Sequence, residues 1–268
     1  MTQLGRWATH LMGYAILHTV RFRFNINHRL ILGLQNAEAS GITMFRSSAF
    51  FVVAAVGLAA PINAQAQSFG LDVGVASQYV GKGLGKSNQD VAPFAKAEVG
   101  FGEGYASVFV SDAAGSQGYD MEIVSMVGWR PKAGGFTLDL GVMNRDLPGS
   151  RAGVDKNYWE YQADASRKLG PVATRLRVNY SPDGFAATKE AWWLELQGTV
   201  SVAAKTKISA AVANRMADGG VDYNAWNVGA KQKLTDAFAV DLRWYDTDRH
   251  SAGEPYEGRL VAAATYSF

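Results

Sequence analysis

The residues best placed to do chemistry are few, and no group of them completes a reactive set. Asp246-x-Asp248, together with Asp183, offers carboxylate oxygens of the kind that hold a cation or a sugar, and Lys82 is a cation that could pair with one of them. The acidic pair lacks the remaining ligands of a calcium loop. Gly81-Lys82-Gly83-Leu84-Gly85-Lys86 has glycines and lysines suited to phosphate. The GxxxxGK[ST] spacing is absent, however, and no strand–helix unit surrounds the segment, so it reads as a flexible surface loop. His250 stands beside Arg249 with no nucleophile pattern near it, which leaves a serine-type hydrolase without its parts. The chain contains no Cys, and this excludes a thiolate zinc site, a Cys nucleophile and a disulfide scaffold. No catalytic, cofactor-binding or metal-ligating residue is assigned, and the chain is not read as an enzyme.

The elements that would position these residues emerge from composition and periodicity. The 268 residues are 48% hydrophobic and 19% charged, with 29 Gly and 7 Pro. That is enough apolar material for a sizeable core and too much for a disordered chain. A formal charge of +2 gives no case for a nucleic-acid partner. From Met44 the chain reads Met-Phe-Arg, an uninterrupted apolar run over 49–60, Pro61, and then Ala64-Gln65-Ala66. A basic start, a short apolar stretch and a small-x-small site make a cleaved secretory leader over 44–66. The run is well short of the ~20 residues that span a bilayer as a helix. Residues 1–43, which carry His10, His18 and His28, then read as a start placed too early, with a genuine extension as the alternative. Without residues 1–66 the charge balance turns mildly acidic, and the basic excess disappears.

From Ser68 onward the chain alternates apolar with small or polar residues in about twelve segments of strand length. In 172–180, Val172, Thr174, Leu176, Val178 and Tyr180 share one face, and Ala173, Arg175, Arg177 and Asn179 share the other. Segments 136–142, 192–202 and 238–244 alternate as clearly, and less regular ones cover 69–79, 92–101, 105–111, 120–129, 158–167, 206–214, 223–233 and 259–268. No stretch sustains a 3.6 period, so no helix is expected after residue 66. The connections alternate short and long. Tight ones fall at 102–104, 131–135, 169–171, 203–205 and 234–237, and longer ones at 81–91, 112–119, 146–157, 181–189, 215–222 and 247–258. A meander sends every second connection to the same end, so one end carries tight turns and the other carries loops. That is the asymmetry of an up-and-down antiparallel transmembrane β-barrel of the outer-membrane type.

Aromatic residues near strand ends (Tyr79, Phe101, Tyr105, Trp129, Tyr158, Trp159, Tyr180, Trp192, Trp226, Trp244 and Tyr245) suit two interfacial girdles. The chain ends in an alternating apolar strand closed by Phe268. This ending resembles the carboxy-terminal signal by which the barrel-assembly machinery recognises outer-membrane proteins.

Four motifs in order extend the resemblance to the TorF-type family of proteobacterial outer-membrane proteins. They are Ser77-Gln78-Tyr79-Val80-Gly81-Lys82-Gly83, Trp159-Glu160-Tyr161, Tyr180-Ser181-Pro182-Asp183-Gly184-Phe185 and Tyr245-Asp246-Thr247-Asp248, followed by the terminal Ser267-Phe268. The resemblance runs from Phe69 to Phe268 and implies a barrel fold and export, with no particular substrate. Lys82 departs from the Arg usual in that family, keeping the charge but not the planar fork.

In a membrane barrel the polar face turns inward. The expected interior set is Asp72, Lys96, Glu98, Glu122, Asp139, Glu160, Asp164, Arg175, Arg177, Glu195, Lys231, Asp241, Arg243 and Arg259. Tyr79, Lys82, Asp246 and Asp248 belong to the mouth, where strand-end aromatics also suit simple anchoring in lipid headgroups. Pairing about the turn at 169–171 sets Arg175 near Asp164 and Arg177 near Gln162, with Glu160 one inward step further on.

A barrel of about twelve strands lies between those filled by side chains and those with an open channel. Three readings stay open: a narrow channel or uptake porin for a small polar solute, a non-transporting surface or structural protein, and, least supported, an enzyme acting on lipids. The leader argument is checked by N-terminal sequencing of the exported protein, which should begin at Gln67 in the outer-membrane fraction.

Overall fold

The computed structural model describes residues 68–268; the leader over 44–66 and the segment 1–43 lie outside the described residues. Lipid offers no partner to backbone N–H and C=O groups, so strands can cross a bilayer only in a sheet without edges. The chain meets that demand with twelve staves in sequence order. They are β1 (Ser68–Ala76), β2 (Ala92–Phe101), β3 (Gly104–Asp112), β4 (Met121–Trp129), β5 (Phe136–Asp146) and β6 (Asn157–Leu169), then β7 (Val172–Ser181), β8 (Ala191–Ala203), β9 (Thr206–Ala217), β10 (Tyr223–Lys233), β11 (Phe238–Thr247) and β12 (Arg259–Ser267). Each pairs antiparallel with its neighbours in sequence. β1 closes on β12 from Asp72↔Ser267 to Ala76↔Ala263, and the Phe268 N–H donates to the Leu71 carbonyl at 2.9 Å. The fold is a closed, up-and-down transmembrane β-barrel.

The period of two sorts the side chains. Leu176, Leu194, Leu196, Val212, Leu242 and Leu260 point outward and are between 44% and 61% exposed. Facing a bilayer, this surface is solvated by lipid. On the opposite faces of their strands Glu122 and Glu160 are 0% and 1% exposed. Connections 102–103, 130–135, 170–171, 204–205 and 234–237 close one end, and 77–91, 113–120, 147–156, 182–190, 218–222 and 248–258 occupy the other. In barrels of this kind the turns face the periplasm and the loops face outside.

Several expectations need correction, each for a local reason. β5 continues past Val142 to Asp146, and β9 continues past Asn214 to Ala217, so the loop expected at 215–222 shrinks to 218–222. Both extensions run beyond the apolar alternation, and both bring an arginine inward: Arg145 and Arg215. The turn between β6 and β7 has two residues, with Leu169 opposite Val172. Gly170 takes φ +58°, and Pro171 fixes its own φ near −65°, so the turn is type II′, which matches strand twist. The register therefore sets Arg177 opposite Asp164 and Arg175 opposite Ser166, rather than Arg175 near Asp164. The aromatic girdles contain Phe101 and Trp129 at the turn end and Trp159, Trp192, Trp226 and Trp244 at the loop end, all well exposed. Tyr105, Tyr158 and Tyr245 do not join them, because their parity turns them inward, and Tyr79 lies in a loop that enters the lumen.

Leu176→Arg places a cation on the lipid face and should destabilise the folded barrel by ~2–4 kcal/mol if it lies near the midplane. Thr199→Lys, on the inward face of β8, should cost far less. Heat-modified mobility on gels, read after refolding into vesicles, checks the contrast.

Candidate functional site

The segment following β1 turns into the barrel instead of projecting from it. Val80 pairs with Gly85 and Gly81 with Leu84, making a small hairpin with Lys82 and Gly83 at its tip. Both tip residues have positive φ, +52° and +80°, as a type I′ turn requires. Lysine is an uncommon choice there, since a Cβ in the left-handed region is strained. Contacts on the far wall hold it in place. Lys82 Nζ is ion-paired with Glu160 of β6, and Tyr223 Oη of β10 donates to the Lys82 carbonyl at 2.8 Å. A Cβ on Gly83 would stand 2.7 Å from Ala225 Cβ, so only glycine lets the tip seat on β10. At the hairpin base, Tyr79 N–H donates to Ser87 Oγ at 2.9 Å, and the Tyr79 ring packs on Phe109 with 5.8 Å between centroids.

Around the hairpin lies a network of buried charge. Glu122 accepts from Lys86 Nζ at 2.6 Å and from Arg145 Nη1 at 2.5 Å. Glu160 accepts from Asn179 Nδ2 at 2.9 Å and more weakly from Arg145 Nη2 at 3.4 Å, in addition to Lys82. Two fully covered carboxylates thus bind three cations from β5 and the hairpin loop. Unpaired, each would face a desolvation cost of several kcal/mol.

The hairpin separates two chambers. Above it, under the long loops, is a vestibule of about 520 Å³ whose charged lining comprises Lys82, Lys86, Arg215 and Glu160. On its other side is a chamber of about 180 Å³ whose charged lining comprises Lys82, Arg175, Arg243 and Glu195. Arg175 Nη2 donates to Glu195 Oε1 at 2.5 Å. Arg243 donates to Asn227 Oδ1 at 2.7 Å and Ser209 Oγ at 2.9 Å, with Asp241 at 3.2 Å. Arg177 forks onto Asp164 at 2.6 and 2.8 Å and is neutralised in the wall. Nearer the turns, the Arg130 guanidinium lies 3.6 Å from the Tyr105 ring centroid and binds Glu98 and Asp139.

The sequence-assigned residues therefore divide into three places. Lys82, Glu160, Arg175, Glu195, Asp241 and Arg243 gather in the lumen around the hairpin. Asp164 and Arg177 pair in the wall, and Asp246 and Asp248 stay at the rim. Lys82 pairs with Glu160 and not with a rim carboxylate, because its hairpin points inward. Asp246 accepts from the Thr247 N–H and meets His250 Nε2 at 2.7 Å. The Thr247 hydroxyl donates to the Tyr256 carbonyl. Asn224, through its backbone N–H and its amide, holds the Asp248 carboxyl below its ordinary range. Asp183 is exposed, and among the described residues no three His, Cys, Asp or Glu side chains come together as metal ligands. Arg145 and Arg215 escaped the sequence reading, although both keep the inward parity of Asp139 and Ala211 on their strands.

A closed twelve-stave barrel with a charged lumen and an inward-folded loop is a porin-like architecture. The chain belongs to a family described as a bacterial protein of unknown function (Gcw_chp), whose model matches residues 62–264. Comparison with curated proteins finds no match. Among solved structures the KdgM porin is similar at 12% identity, over 74% of this chain and 99% of the porin, with a TM-score of 0.53. The KdgM porin in complex with disordered oligogalacturonate gives the same figures. The NanC porin is similar at 11% identity, over 74% and 98%, with a TM-score of 0.50. At such identities the likeness is one of fold.

Glu160→Gln leaves Lys82 without its partner and should destabilise the barrel by ~3 kcal/mol, the low end for breaking a buried pair. Lys82→Met combined with Glu160→Met should recover much of that loss, as measured by denaturant midpoints in vesicles.

Proposed function

We propose that the protein is a narrow outer-membrane channel that admits small polar solutes and favours anions. The observation that carries this reading is the sign of the charge presented to both chambers. Each is lined by three lysine or arginine side chains against one glutamate, Glu160 in the vestibule and Glu195 in the second chamber, and Glu122 and Glu160 have almost no exposure. A low-dielectric wall with an excess of one sign of charge concentrates counter-ions of the other. A solute entering between the loops would meet Lys86 and Arg215, pass Lys82 at the hairpin, and reach Arg175 and Arg243 beyond it. Export by a cleaved leader and assembly through the strand ending in Phe268 belong to the same reading.

A second reading rests on the hairpin itself. Its tip is tied to both β6 and β10, so it could serve as a plug in a non-transporting surface protein. Planar-bilayer recording separates the two. The channel reading expects small conductance and a reversal potential favouring anions in a KCl gradient. Arg175→Glu should move that potential toward cations, and Glu195→Gln further toward anions. Gly83→Val should unseat the tip from Ala225 and raise the conductance several-fold. A silent wild type that conducts only as Gly83→Val would establish the plug.

A further inference from the structure

The vestibule contains a feature that the ion-pair network does not use. Arg215, on the inward face of β9, lines this cavity and forms no ion pair or side-chain hydrogen bond among the described residues. Its neighbours across the sheet are Trp193 on β8 and Tyr223 on β10, both buried, with ring centroids 6.2 Å apart. Tyr256 packs edge-on against Tyr223 at 5.4 Å. Every other cation lining the two chambers has a carboxylate partner: Glu160 for Lys82, Glu122 for Lys86, Glu195 for Arg175 and Asp241 for Arg243. Among the described residues, Arg215 alone of these cations presents a free guanidinium fork.

Around it stand phenols with the same property. Tyr119, Tyr158 and Tyr256 line the vestibule, and their hydroxyls have no hydrogen-bond partner among the described residues. A phenol can both donate and accept, and it stays neutral at pH 7. Gln117 and Thr188 add further polar groups to the lining. The cavity volume of about 520 Å³ falls within the roughly 300–1,000 Å³ of small-molecule sites.

We propose that the vestibule is a binding site for a hydroxylated monocarboxylate of sugar size, with Arg215 taking the carboxylate as a fork and Tyr119, Tyr158 and Tyr256 taking the hydroxyls. A planar guanidinium matches a carboxylate through two parallel hydrogen bonds, which neither chloride nor a neutral sugar can satisfy. Phenol hydroxyls on the other walls select a polar body over an aliphatic one. The site deepens the anion-channel reading by naming the class of solute captured before the hairpin, where Lys82 is the next cation on the path. It requires access to the vestibule but no passage beyond it.

The test is isothermal titration of the full-length barrel in detergent with sodium glucuronate, using glucose and sodium acetate for comparison. Wild type should bind glucuronate at least tenfold more tightly than either. Arg215→Gln should weaken glucuronate binding roughly ten- to hundredfold, the loss expected for charge-assisted hydrogen bonds, and Arg215→Lys should retain part of it. Tyr158→Phe should weaken glucuronate but leave acetate unchanged, and this variant decides the matter if Arg215→Gln fails to fold. Equal binding of glucuronate and glucose, or wild-type affinity in a folded Arg215→Gln, would overturn the site. Binding without conductance in bilayers would keep the site and defeat the channel reading, whereas anion-selective conductance without glucuronate binding would do the reverse.

Discussion

The structure depends on the inability of lipid to hydrogen-bond. Because every backbone N–H and C=O at membrane depth must find a partner within the sheet, β1 has to meet β12, and the terminal Phe268 N–H is drawn into the seam at Leu71. Closure fixes the rest. One face of every stave must satisfy hydrocarbon, so most of the charge of the strands is driven inward. Glu122, Arg145, Glu160, Asp164, Arg175, Arg177, Glu195 and Arg243 are inside because they have nowhere else to go. They then pair because isolated charges there would be costly.

That inward crowding explains the hairpin. A loop that extended outward would leave Glu160 with only Arg145, at 3.4 Å, and Asn179 as donors. Folding back supplies Lys82 to Glu160 and Lys86 to Glu122, so the loop completes the charge balance of β4 and β6. The strained φ of Lys82 is offset by this pairing and by Tyr223. A glycine at the next position then lets the tip lie against Ala225. The same contacts divide the lumen into two chambers, so a device that stabilises the wall also sets the path of a solute.

Three cations to one glutamate line each chamber, and Glu122 is wholly covered, which gives the lumen its sign. Arg215 is the exception, since it contributes charge to the vestibule without an ion-pair partner among the described residues. Mouth carboxylates take no part in this. Asp246 and Asp248 stay at the rim, Asp246 bonded to Thr247 and His250 and Asp248 to Asn224 of β10.

The amino-acid sequence by itself determined the barrel. Period-two alternation from Ser68 to Phe268, sorted loop lengths and the absence of any helical period depend only on local order along the chain, and lipid permits one closed solution for such a pattern. It also determined which strand residues face inward, because parity is a local property: Glu160, Asp164, Arg175, Arg177, Glu195, Asp241 and Arg243 all stand on the luminal face. Partnership was decided by tertiary structure. Arg177 meets Asp164, and not Gln162, because Gly170 and Pro171 close a two-residue turn, a backbone detail that shifts every cross-strand pair by one inward step. Arg145 and Arg215 became luminal because their strands outlast their apolar pattern, held by ladder bonds to neighbours far along the chain. The direction of the Tyr79–Lys86 loop lay beyond local reading altogether. Its glycines and lysines suit a free surface loop equally well, and only the carboxylates that β4 and β6 bring together at the opposite wall turn it inward.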